Sequence, residues 1–269
     1  MLSNKVKQRC VREAGKLQAA WMGRRQEDLM VDLSFSEASR CFPNRNGLHS
    51  YMHHYFSQIC PPEVKEHRIY FSQESRGFGE DAFHAAWYLL LKEFRPSNCL
   101  EIGVYRGQVV SLWALLSRLL DFPCLIHGIS PLTPAGDHVS TYLANIDYRA
   151  DINRNHKAFG LPLPSLLKAF STDADALYLI RSKAWDLIYI DGSHDYEIAL
   201  ADYEVCKECL AEGGLLVMDD SSLYTDYRPP MFSFAGHPGP SRIVQEKVMH
   251  EMQFLGAVGH NNIFIKAKA

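Results

Sequence analysis

From residue 81 onward the chain alternates stretches with apolar residues on one helical face and short runs that are apolar almost throughout. Asp81 to Phe94 has helical spacing and ends at Pro96-Ser97-Asn98, where proline stops a helix. Cys99-Leu100-Glu101-Ile102 then reads as a buried strand. The alternation continues with helix Ser111 to Leu120, strand Cys124 to Ile129, strand Leu166 to Phe170 and helix Ala174 to Ile180. Strand Trp185 to Ile190, helix Tyr196 to Leu210 and strand Leu215 to Met218 complete it, and Ser130 to Pro164 reads as a long loop-rich connection. This pattern predicts an α/β fold with a doubly wound, mostly parallel, Rossmann-like sheet whose ligands sit at the carboxyl ends of the strands. An irregular stretch, Tyr224 to Pro240, carries Pro229, Pro230, Pro238 and Pro240 and suits a substrate lid. Helix Ser241 to Met252 follows. Strands Phe254 to Val258 and Ile263 to Lys266 then meet through Gly259-His260-Asn261-Asn262, so the sheet is expected to finish antiparallel.

The first 80 residues have a different texture. Residues 4 to 30 carry a charged helical pattern, and Leu48 to Ile59 is rich in aromatics and histidine. His49 and His53 are spaced to share a helix face, as a zinc pair or as part of a packed interface. Pro61-Pro62 interrupts the chain. Residues 1–80 therefore read as a helical extension serving as lid or oligomerisation segment, ahead of a catalytic domain over 81–269.

The strand ends carry the chemistry. The run Ile188-Tyr189-Ile190 stops at Asp191-Gly192-Ser193-His194, and Gly214 to Met218 stops at Asp219-Asp220. Adjacent parallel strands would deliver Asp191, Asp219 and Asp220 to one edge. Clustered carboxylates need a cation, and all-oxygen ligands suit a hard divalent ion such as magnesium. His194 would overhang it as a base. The plainer alternatives are a helix cap at Asp191, a turn at Asp219-Asp220 and a structural hydrogen bond at His194.

A second motif follows the first strand: Glu101-Ile102-Gly103-Val104-Tyr105-Arg106-Gly107. Gly103 and Gly107 permit a tight strand-to-helix turn and close approach of a ligand. Tyr105 stands where a dinucleotide fingerprint would need its middle glycine, which argues against hydride-transfer chemistry.

Composition narrows the field further. The 269 residues are 47% hydrophobic and carry a net charge of −3, with no basic footprint for nucleic acid. No apolar run reaches the roughly 20 residues of a membrane span, and a cytoplasmic location with no membrane partner is expected. Seven cysteines at 10, 41, 60, 99, 124, 206 and 209 do not form a disulfide framework. Cys206 and Cys209 form a CxxC within a helical pattern, without a second such pair to complete a zinc site.

The Glu101-x-Gly103-x-x-x-Gly107 turn, together with Trp185 to Asp191, resembles the class I S-adenosylmethionine-dependent methyltransferases. Ile190 to Tyr196 and Gly213 to Asp220 resemble, more narrowly, the metal-dependent macrolide-sugar O-methyltransferases; the likeness spans roughly residues 97 to 222. It implies that Glu101, Gly103, Tyr105 and Gly107 hold the methionine part of the cofactor. It further implies that Asp191, Asp219 and Asp220 bind Mg2+ or another divalent cation and that His194 is the catalytic base. The second strand departs from the family at Ser130, where an acid usually grips the ribose; Asp137 is an alternative holder. Asp173 is either an adenine-edge contact or a helix cap, and Arg76 is either a counter-ion to the cofactor or part of a solvated linker. The expected reaction is magnesium-dependent methyl transfer to a vicinal diol, a sugar hydroxyl of a glycosylated metabolite or polysaccharide, by a possible homo-oligomer. Transfer to a catechol-like phenol and a non-catalytic cofactor-binding scaffold are the alternatives.

Overall fold

The computed structural model describes residues 30–140, 142–230 and 233–268. The helical pattern of residues 4 to 30 lies, Met30 apart, outside them. Four helices come first: α1 (Phe35–Cys41), α2 (Arg45–Gln58), α3 (Pro62–Phe71) and α4 (Asp81–Phe94). The alternating unit follows as β1 (Asn98–Ile102), α5 (Gln108–Leu119), β2 (Leu125–Ser130), α6 (Tyr148–Ala158) and β3 (Ser165–Lys168). It continues with α7 (Ala174–Arg181), β4 (Trp185–Ile190), α8 (Tyr196–Cys209) and β5 (Leu210–Met218). A helix α9 (Pro238–Ile243) runs on through a π-helical turn, Val244–Val248, before β6 (Gln253–Val258) and β7 (Asn261–Ile265).

The seven strands form one sheet in the order β3-β2-β1-β4-β5-β7-β6. β1 to β5 pair in parallel, and β7 inserts antiparallel between β5 and β6. The sheet is doubly wound as the alternating pattern predicts. Alternate residues of β4 enter opposite layers, which is why the run is apolar from Leu187 to Ile190. Leu187 and Tyr189 pack with Trp87 of α4 and Trp113 of α5, while Ile188 and Ile190 pack with Ala176, Ile180 and Tyr203 of α7 and α8. Burying a side chain of this size stabilises the fold by about 1.5–3 kcal/mol.

The helices before residue 80 share the first of these layers. Phe35, Met52, Tyr55 and Val64 belong to the same core as Trp87, Leu187 and Val258. α1 and α2 lie against β6 at Gly256, where an added Cβ would stand 2.7 Å from Ser39 Oγ.

Two elements differ from the sequence expectation. The connection from Ser130 to Pro164 contains α6, whose sequence, Tyr148-Arg149-Ala150-Asp151-Ile152-Asn153-Arg154-Asn155-His156, is too polar to show an apolar stripe. Its inward face is made of Tyr148, Asp151, Ile152, Asn155 and His156, and Asp147 caps it by accepting from Ala150 N–H at 2.9 Å. His156 is thereby committed to the core. The Tyr224 to Pro240 stretch is also anchored. His237 N–H donates to Asp220 O at 2.7 Å, Ser222 N–H donates to Ala235 O, and Tyr227 is buried against His49.

Candidate active site

The carboxyl ends of four neighbouring strands, β2, β1, β4 and β5, are tied together through their backbones. Gly103 N–H donates to Ile129 O, Asp191 N–H to Ile102 O at 2.8 Å, and Asp219 N–H to Ile190 O at 3.0 Å. The glycine turn and the carboxylates therefore stand on one edge, at the point between β1 and β4 where the strand order reverses. Gly103 has φ +102°, and an added Cβ would fall 1.8 Å from Asp191 O, so the two loops touch where only glycine fits.

Around that turn, Tyr105 stacks on Phe78 with centroids 5.2 Å apart and meets Tyr142 and Tyr148. Glu101 points inward. Its Oε2 accepts Val110 N–H at 3.1 Å, so it braces the first turn of α5. Burial, partly offset by that N–H and reinforced by Asp219, pushes its pKa up to about 8. Arg106 forms a buried ion pair with Asp151 at 2.6 Å and donates to Glu74 O, and Gln108 Oε1 accepts Gly79 N–H. Residues 74–79 thus fold against the turn. Arg76 pairs with Glu74 and lies over the Tyr70 ring rather than standing free as a counter-ion.

His194 is clamped between two carboxylates. Its Nδ1 is 2.6 Å from Asp137 Oδ2 and its Nε2 is 2.7 Å from Asp220 Oδ2. Burial opposes the charge, but hydrogen bonds and charge from Asp220 and Asp137 outweigh it and raise the pKa of the ring. The sequence reading assigned Asp137 to the ribose as an alternative holder. Its carboxylate is instead spent on His194, taking both the ring and the backbone N–H, and on the N–H groups of Val139 and Ser140. Those N–H donors overcome the effect of burial and hold Asp137 well below the usual carboxylate range.

Asp191, Asp219 and Asp220 meet in one cleft with Ser193, His194 and Pro240. Burial, with the charge of Asp219 next in importance, raises Asp191 well above the ordinary carboxylate range. An all-oxygen ligand set was expected; the structure adds imidazoles. His260, at the tip of the β6–β7 hairpin, places Nε2 3.2 Å from Asp219 Oδ1 and 3.5 Å from Asp220 Oδ1. His237 Nε2 lies 3.8 Å from Asp220 Oδ2. Burial disfavours the charged His260 ring, but Asp219 and Asp220 raise its pKa to about 9. Metal-ligating atoms converge in two groups here, Asp219-Asp220-His260 and His194-Asp220-His237; Asp191 lines the same cleft but belongs to neither group. Sequence periodicity gave no hint of His237 or His260, because both reach the site from turns closed by long-range pairing.

The remaining expected cofactor contacts have local partners. Ser130 Oγ accepts Leu132 N–H at 3.2 Å at the end of β2. Asp173 Oδ2 accepts Phe170 N–H at 2.9 Å in the turn before α7. Cys206 is buried in α8.

Residues 100–221 match the family model of a methyltransferase domain. The S-adenosylhomocysteine-bound methyltransferase of Podospora anserina shares the architecture with a TM-score of 0.56 at 13% identity, over 90% of this chain and 100% of that one. A putative caffeoyl-CoA O-methyltransferase of Staphylococcus aureus does so with a TM-score of 0.55 at 13% identity, over 77% and 93% of the two chains. An uncharacterized protein of Acanthamoeba polyphaga mimivirus is 24% identical over 177 residues, 61% of this chain and 72% of its own. The domain match lies within the alternating unit, at residues 100–221, and the fold is the one these methyltransferases share. Among the described residues no helix is long and apolar enough to cross a membrane.

Proposed function

We propose that the protein is an O-methyltransferase that uses S-adenosylmethionine and a divalent cation to methylate a hydroxyl of a vicinal diol, such as a sugar. The observation that carries this reading is the clamped His194, a proton-handling group beside a carboxylate cluster and one strand away from the glycine turn.

The residues fit a cation. Asp219 Oδ1 is buried and accepts no well-aligned hydrogen bond from any described residue, although His260 is close enough for an ion pair. Burial first, and then the charge of Asp219, raise the Asp191 carboxyl above its ordinary range, a cost that a bound cation would relieve. Carboxylates Asp219 and Asp220, with Asp191 in the same cleft, would hold the ion, and His237 and His260 widen the choice from magnesium towards manganese- or zinc-like ions. When bound, such an ion supplies charge that lowers the pKa of a coordinated hydroxyl.

The donor would lie over the turn from Gly103 to Gly107, beside Tyr105. Methyl transfer breaks the sulfonium carbon–sulfur bond as the hydroxyl oxygen bonds to carbon, and the hydroxyl proton must leave. In this reading Asp137 holds the Nδ1–H of His194 and fixes the ring, so that Nε2 is the nitrogen that takes the proton once Asp220 no longer occupies it. Alignment of the two reacting groups supplies much of the remaining acceleration.

The test is a methyl-transfer assay across sugar diols and catechols, with added magnesium or manganese and with chelator. Cation-dependent transfer to a sugar diol, lost in Asp219→Asn, supports the reading. Transfer that survives both chelation and the substitution refutes the cation role, and exclusive transfer to catechols refutes the acceptor class.

A further inference from the structure

We propose that His49, His53 and Glu80 form a second metal site, for a zinc-like divalent ion, separate from the carboxylate cleft. His49 and His53 lie one turn apart on α2, so both rings leave the same face, with centroids 4.8 Å apart. Both direct Nε2 at one oxygen of Glu80, the residue that precedes α4: His49 at 3.0 Å and His53 at 3.8 Å. The three ligating atoms lie within 4.8 Å of one another. Ligand atoms around a tetrahedral zinc with bonds of about 2.0–2.1 Å stand about 3.3 Å apart, and the observed spacings bracket that figure. Two imidazoles and a carboxylate are a recurrent three-ligand zinc set that leaves a fourth position open.

The surroundings meet the other requirements. His49 is buried and faces the Glu80 carboxylate from within the core, while His53 approaches the same oxygen from its edge. The side chains of His53 and Glu80 are 22% and 21% exposed, which gives an ion a way in. The other carboxylate oxygen of Glu80 accepts from Ser233, and Tyr227 packs edge-on to His49. Both residues belong to the stretch that leaves Asp220 and returns to it. An ion here would therefore bind α2, the start of α4 and that stretch into one unit. It shares no residue with Asp219-Asp220-His260 or His194-Asp220-His237.

The test uses metal-stripped full-length protein and zinc alone, read by equilibrium dialysis with elemental analysis and by thermal unfolding. Wild type, His53→Ala, Glu80→Gln and Asp219→Asn are compared, so that zinc held by cysteines common to all four cancels. Wild type is expected to bind one more zinc equivalent in the micromolar range than His53→Ala and Glu80→Gln, and to gain more in Tm with zinc, and His53→Ala should remove the same equivalent from Asp219→Asn as from wild type. His53 is part-exposed and its truncation leaves the core intact, so His53→Ala decides the matter if Glu80→Gln folds poorly. Equal zinc binding and equal Tm gain in wild type and His53→Ala overturn the proposal. So does an Asp219→Asn/His53→Ala double variant that binds as much zinc as Asp219→Asn.

Discussion

His194 Nδ1 and Asp137 Oδ2 stand 2.6 Å apart although 57 positions separate them in the chain. The same carboxylate group also gathers three backbone N–H groups, so the loop after β2 is folded around the histidine it orients. Asp137→Asn keeps an oxygen for the N–H groups of Val139 and Ser140, but sets an amide NH2 against His194 and removes the charge. Turnover is expected to fall by about 10²–10⁴ while S-adenosylmethionine affinity, measured by calorimetry, stays within about threefold. Unchanged turnover would deny Asp137 any part in positioning the base.

The contact between Gly103 and Asp191 makes a stricter demand. Gly103→Ala places a methyl group 1.8 Å from Asp191 O at a backbone angle that costs about 1–3 kcal/mol on its own. Loss of cofactor binding together with a lower Tm is expected. A variant with native Tm and native affinity would mean that the turn and the carboxylate loop are not in contact.

Arg106 and Asp151 pin the turn to α6 from the other side. Their side chains are 7% and 5% exposed, so Asp151→Ala leaves a buried guanidinium with only Glu74 O as partner. Removing one member of such a pair costs about 3–5 kcal/mol. Urea unfolding is the measurement, and a loss below about 1 kcal/mol, as for an exposed pair, would contradict the assignment.

Acid should destabilise the fold through two histidines remote from the cleft. His67 Nδ1 lies 3.2 Å from His84 Nε2, and His67 Nε2 lies 2.9 Å from Ser111 Oγ, all buried. Burial lowers His84 to about 3 and His67 well below its ordinary value, the latter with further help from His84. Because the folded pKa is depressed, the unfolded chain takes protons first as the pH falls. Stability is whole above about 6.5 and declines below it. For His84 the loss reaches about 2–3 kcal/mol by pH 4.5, and His84→Gln should flatten the stability–pH curve over that range. A slope equal to that of wild type would place the acid lability elsewhere.

The sequence carried the framework because parallel strands buried on both faces announce themselves as apolar runs, and Asp191, Asp219 and Asp220 each follow such a run directly. α6 was illegible because its inward face uses Asp151, Asn155 and His156, satisfied by Arg106 and by backbone, in place of apolar residues. The partners of His194 were hidden for a related reason. Asp137 lies in a loop without periodicity, and His237 and His260 arrive through pairings that only the closed sheet creates. His49 and His53 were visible as a pair on one helix face, but Glu80 joins them from the residue just before α4.

The most direct test of the two-part site replaces His194 by Gln and measures S-adenosylmethionine binding and single-turnover methyl transfer in the same preparation. The expected result is native cofactor affinity with transfer slowed by about 10²–10⁴. Native transfer rates in His194→Gln, with the same cofactor affinity, would contradict it.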